Sequence, residues 1–317
     1  MGARDAVRSL VQGSCRLTAF DVHQHLLPDL LRDALRRRSQ PPFLRGMTLH
    51  LPDRAPVQLH AADYDLATRS HLVTEDGLDV ALVSLSSPFG IECLPGDDAG
   101  PLLEAYHSAV HRLPPRFGAW AGACVSEPDP LALAGELARG RVGLQLPANA
   151  LSTPAGWEHL GDLFSTLENR DRPLMVHPGP VASGLQSVPH WWLPMVSFVG
   201  QQHAAWHAWQ VTGRAHHPRL RVCFVGLAGL APLHSERMVA RGGSPADLDH
   251  NVFYETSSYG PLAIEALRHC VGQGTLVQGS DRPYAMANPQ LSGPEWADLR
   301  TANTQRLLFG DASPGSR

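Results

Sequence analysis

Eight short apolar runs recur along the chain, and stretches with helical spacing lie between them. The runs fall near residues 18–23, 79–85, 117–124, 142–146, 173–177, 221–226, 252–256 and 275–280. Each has strand length. The intervening stretches carry helix punctuation. Asp65 to Gly77 ends on a Gly stop signal, Asp98 to Leu113 halts at Pro114-Pro115, and Asp129 to Ala138 stops at Gly140. Trp157 to Leu167, Pro194 to Gly213, Leu233 to Arg241 and Asp298 to Leu308 read the same way, and Pro261 to Val271 opens on a Pro that a first helical turn tolerates. Eight such units in 317 residues predict an α/β chain folded as a (β/α)8 TIM barrel, a single domain with loop insertions over its C-terminal face. A doubly wound open sheet is the alternative use of the same units.

Two segments interrupt the alternation. Residues 28–63 follow the first strand directly and are rich in Pro, Arg and Leu; they read as a long insertion over the barrel mouth. Residues 178–194 follow the fifth strand and carry Pro-Gly-Pro and then His190-Trp191-Trp192. Long loops at this face bear substrate contacts or lids. The barrel is expected over residues 18–309, after an N-terminal extension at 1–17 and before a disordered tail at 310–317.

Composition removes several chemistries. All 26 basic residues are arginine, so Schiff-base chemistry, a lysine-anchored pyridoxal group, a P-loop lysine and a carbamylated-lysine metal bridge are excluded. A net charge of −4 without a basic stripe argues against nucleic acid. The apolar runs are too short to span a bilayer, and the N-terminus lacks the apolar core of a signal peptide. Five cysteines, an odd number without a Cys-x-x-Cys pair, point to a reduced, cytoplasmic setting.

The strand ends carry the candidate chemistry. On the first strand, Asp21-Val22-His23-Gln24-His25 puts two imidazoles two residues apart, hence on one side. The fifth run ends on His177 before Pro178-Gly179, and the eighth ends on Asp281 before Arg282-Pro283. Each is a metal-ligand residue type at the C-terminal end of a strand, where a barrel places its active site.

These residues, in this order, resemble the amidohydrolase superfamily, and most closely its branch of aminocarboxymuconate-semialdehyde decarboxylase-like hydrolases and decarboxylases. The likeness spans residues 18 to about 309 and includes Gly226 to Pro232, Thr256-Ser257-Ser258, Gly279 to Pro283 and Asn303 to Phe309. It implies one divalent ion, Zn2+ by donor type, held by His23, His25, His177 and Asp281, with Asp281 also passing a proton. It also exposes a departure: Gly226 stands where the family usually has an acid/base histidine.

Glu255, at the end of the seventh strand, is a candidate for the missing chemistry, and His234 a weaker one. Arg45 is a candidate for a substrate anion against a solvated loop arginine, Arg282 for anchoring its loop or a substrate anion, and Trp191 and Trp192 for an aromatic pocket wall. His203 and His207, four residues apart, suit either a second metal pair or a surface helix face, interleaved with Trp206 and Trp209. That tryptophan stripe would suit a homodimer contact or a lid. The expected partner is a small-molecule substrate. The first functional reading is a hydrolase that cleaves a C–N or C–O bond with metal-activated water. The alternatives are a non-oxidative decarboxylase of an aromatic or unsaturated carboxylate, and a catalytically degenerate barrel that binds a metabolite or partner.

Overall fold

The computed structural model describes residues 17–52, 54–181, 188–244 and 248–311. Residues 1–16 of the expected extension, 182–187 of the second insertion and 312–317 of the tail lie outside these.

All eight expected strands form. They are Phe20–His25, Val80–Ser84, Phe117–Ala119 with Ala121–Gly122, Leu144–Pro147, Leu174–His177, Val222–Phe224, Val252–Glu255 and Leu276–Val277. Every neighbouring pair is parallel. Trp120 splits the third strand between two sheets, and its N–H still donates to Val83 O at 2.9 Å. Three bonds between the first strand and the eighth-strand segment close the ring: Val22 N to Gln278 O at 3.0 Å, Asp281 N to His23 O at 2.9 Å and His25 N to Arg282 O at 2.7 Å.

Both faces of these strands are apolar, as a parallel sheet covered on both sides requires. Phe20, Val22, Leu82, Trp120, Met175, Cys223, Phe253 and Val277 pack together in one core cluster. Their strand neighbours, such as Val83, Leu146, Val176, Phe224 and Tyr254, pack in separate clusters with the surrounding helices. Trp120 is fully buried and donates its indole N–H to Val22 O at 2.9 Å.

The first insertion is folded rather than loose. It holds the helix Asp29–Arg37 and an antiparallel sheet of Phe43–Arg45, Thr48–His50 and Val57–Gln58. Leu31, Leu35, Leu44 and Leu49 give it a buried side. The expected tryptophan stripe is corrected. Trp206 and Trp209 are 2% and 0% exposed: Trp206 donates to Tyr254 Oη at 3.1 Å, and Trp209 packs on Trp157. Helical periodicity could not reveal which side of this helix faces the barrel. No helix among the described residues is long and apolar enough to cross a membrane.

One local feature departs from ordinary backbone chemistry. After the sixth strand, Gly226, Leu227, Ala228, Gly229 and Leu230 all have φ between 51° and 61°, a turn of left-handed helix. Three of the five carry side chains, and each such residue costs roughly 1–2 kcal/mol. The turn persists because its surroundings over-determine it. Leu227 and Ala228 are buried in the outer core, and Gly229 lies against helix Val199–Ala208. A Cβ at Gly229 would sit 2.4 Å from Val199 O. Gly229→Ala should therefore destabilise the fold by about 1–3 kcal/mol through forced backbone displacement. A lowered urea midpoint at unchanged m-value would show this.

Candidate metal centre

The side chains of His23, His25, His177 and Asp281 converge at the C-terminal mouth of the barrel. Each offers one ligand atom, and the four atoms lie within 4.8 Å of one another. Strand alternation brings the first two together, with Nε2 to Nε2 at 2.9 Å. His177 stacks edge-on against both rings, with centroids 4.8 and 4.9 Å away. Asp281 enters from beyond the eighth strand at a φ of 59°, a conformation Asp tolerates better than most residues. Its Oδ1 lies 3.1 Å from His25 Nε2 and 3.5 Å from His23 Nε2. The histidines are 1–5% exposed, whereas the Asp281 side chain is 25% exposed. It is the member that opens toward solvent.

The outer nitrogens decide what the inner ones do. His25 Nδ1 lies 3.3 Å from Ser84 O, and His177 Nδ1 donates to Pro178 O at 2.7 Å. A carbonyl can only accept, so the His177 ring carries hydrogen on Nδ1 and presents its Nε2 lone pair inward, while Ser84 holds the His25 ring from behind through both its carbonyl and its hydroxyl. His23 Nδ1 faces Glu255 Oε2 at 3.4 Å, longer than an ideal hydrogen bond. Burial pushes the His23 imidazole down, but Glu255, Asp281 and Asp21 outweigh it and raise its pKa to about 9. Burial lowers His25 and His177, and the charge on His23 lowers both further. Without a cation, then, a proton on His23 Nε2 is shared toward His25 Nε2 and Asp281. Three buried ring nitrogens and a carboxylate around one point, with each ring oriented from behind, fit a divalent ion that replaces this proton.

Several supporting residues were missed in the sequence. Asp21 is fully buried and accepts from His23 N, Gln24 Nε2, Ser280 N and Ser280 Oγ at 3.0, 2.7, 3.1 and 2.6 Å. Arg69, 1% exposed, donates to the carbonyls of His25 and Asp63 and to Gln24 Oε1. Tyr284 lies over His25 with centroids 5.4 Å apart, and its phenol meets that of Tyr64, just past the first insertion, at 3.4 Å. For Asp21 a signal existed, since it sits in the same strand motif as the histidines. For Arg69 and Tyr284 there was none.

The other sequence candidates divide. Glu255 reaches the cluster only through His23. Its two oxygens also accept from Ser257 N, Ser257 Oγ and Gly226 N at 2.6, 2.8 and 3.1 Å. Beside Gly226 the space is open: a Cβ there would meet only Tyr259, at 3.8 Å. Arg45 is not brought to the site. Its guanidinium is held by the carbonyls of Arg36, Arg38 and Leu44 and lies over Phe43. Arg282 pairs bidentately with Asp76 at 2.8–3.2 Å and so anchors its loop instead of facing a substrate. Trp191 and Trp192 lie 5.9 Å apart, and Trp191 is half-exposed. His234 is exposed and packs on His203, away from Glu255.

The chain matches no family model and no curated protein. Solved structures do share its fold. It is similar to isoorotate decarboxylase (IDCase) of Metarhizium anisopliae, with a TM-score of 0.74 and 16% identity over 95% of this chain and 99% of that one. It is similar to 5-carboxyvanillate decarboxylase LigW from Sphingomonas paucimobilis, with a TM-score of 0.70 and 17% identity over 93% and 99%. It is also similar to 5-carboxyvanillate decarboxylase from Novosphingobium aromaticivorans, solved with manganese and 4-hydroxy-3-methoxy-5-nitrobenzoic acid, with a TM-score of 0.67 and 16% identity over 93% and 97%. These likenesses are in fold, and the (β/α)8 barrel expected from the eight strand and helix units is the fold observed.

The shared proton gives a test. Because His23 is raised to about 9, uptake of a divalent ion near neutral pH should release about one proton per chain. Calorimetry in buffers of different ionisation enthalpy would count it. In cation-free protein the same shift means that stability conferred by His23 is full below about pH 6.5 and is lost as pH rises through about 9.

Proposed function

We propose that this chain is a metal-dependent, non-oxidative decarboxylase of an aromatic or unsaturated carboxylate. The observation that carries the reading is a buried three-histidine, one-aspartate cluster, in a fold shared almost end to end with decarboxylases. Hydrolysis stood first on sequence, but these likenesses in fold support the decarboxylase alternative better.

His23, His25, His177 and Asp281 would hold the ion, which when bound supplies Lewis acidity to substrate oxygens. The residues around it divide the remaining work. Loss of carbon dioxide leaves the electron pair of the broken C–C bond on the ring or vinyl carbon. That carbon must gain one proton, so R–COO− and H+ give R–H and CO2. Asp281, the solvent-facing member, is the group to deliver that proton and to regain one from water. Glu255 is a positioning residue: it fixes the His23 ring and is itself buried in hydrogen bonds. Tyr284 packs on His25 with its phenol turned toward Tyr64, and so walls one side of the cluster. Trp191 and Trp192 are the aromatic residues of the second insertion available as a pocket wall.

Protein purified without chelator should carry near one ion per chain, and elemental analysis for zinc and manganese would name it. His177→Ala should leave the site largely empty, and a full complement of metal in that variant would remove the cluster as drawn. Asp281→Asn should lower kcat roughly 100- to 10,000-fold on any substrate found. The substrate panel decides the reaction. Carbon dioxide release with a protonated R–H product is expected. Hydrolysis of amides or esters without carbon dioxide release would overturn the reading.

A further inference from the structure

A second group of histidines lies apart from the barrel mouth. His203 and His207 are one turn apart on helix Val199–Ala208, with ring centroids 4.6 Å apart. His234, at the end of the segment Gly226–His234, meets His203 edge-on at 5.1 Å. Those spacings match the 4.8–4.9 Å between the rings of the interior cluster. Two of the three edges are in place; for its nitrogen to join those of His203 and His207, the exposed His234 ring would have to turn toward His207. Such surface rotations are fast and cheap. Among the described residues none of the three imidazoles has a hydrogen-bond partner, so no interaction must be broken to bind a ligand.

We propose that His203, His207 and His234 form a second divalent-metal site, suited to a borderline transition ion such as Zn2+, Ni2+ or Cu2+, with water completing the shell. Histidines four residues apart on a helix present two nitrogens to one point, and a third nitrogen from another element makes the chelate specific. Burial lowers the pKa of both His203 and His207, and neighbouring imidazoles add to this, so the lone pairs are free at neutral pH. The ion would also act mechanically. The strained turn from Gly226 to Leu230 lies between these ligands and Glu255, with Gly229 pressed on Val199 O and close to His203 N. Bridging the helix to His234 fastens the far end of that turn. An ion bound only by the folded state stabilises it by mass action.

The test compares untagged wild-type protein with the double variant His203→Gln/His234→Gln, using Ni2+ as probe. Calorimetric titration should find one more Ni2+ per chain in the wild type, and Ni2+ should raise the wild-type Tm more than the variant's. His234→Gln alone changes only an exposed side chain, so it keeps the test valid if the double variant folds poorly; it should weaken the additional ion roughly tenfold or more. Equal Ni2+ counts, or unchanged affinity in His234→Gln, would overturn the site. The interior cluster is intact in every variant, so failure here leaves the decarboxylase reading untouched.

Discussion

The carboxylate of Asp21 holds together the seam on which the rest depends. It has no exposure to water, and it binds two groups from the first strand and two from Ser280 beyond the eighth. Burial raises its pKa, and the hydrogen bonds offset part of that penalty. A buried polar group so fully satisfied specifies one arrangement. Here the arrangement is the register of barrel closure. That register brings Asp281, more than 250 positions along the chain, to within 3.1 Å of His25.

A second carboxylate, Glu255, does similar work from the seventh strand. It reaches the His23 ring on one side and the amide of Gly226 on the other. The left-handed turn after the sixth strand is thereby tied to the orientation of a candidate ligand. Glycine at position 226 suits this geometry twice: it relieves strain at φ 56°, and it leaves space beside the cluster where a side chain would stand.

Much of this was legible along the chain. The eight strands fall where the apolar runs lie, because a strand buried on both faces has a continuous apolar signature. The four converging residues were also readable, because each sits at a strand end and a barrel gathers strand ends at one mouth. For the arginines the sequence left a loop role and an anion-binding role open, and their partners favour the loop role. Any arginine near a mouth can be drawn toward an anion, but Arg45 is consumed by local carbonyls and Arg282 by Asp76. Nothing in composition reveals such private partnerships. Trp206 and Trp209 misled in the same way, since their periodicity was clear and the direction of their face was not.

The sequence by itself determined the order of strands and helices, the donor types at the strand ends, and the exclusion of lysine chemistry. Those properties are local: they depend on residue identity and on spacing within one segment. The tertiary structure alone decided which nitrogen of each histidine faces inward, that Glu255, Asp281 and Asp21 surround the His23 ring with negative charge, and that Glu255 orients a ring instead of facing solvent. Each of these depends on groups distant in the chain meeting in a medium of low dielectric, where a carboxylate a few ångströms away outweighs the cost of burial. No spacing rule along the chain encodes that encounter.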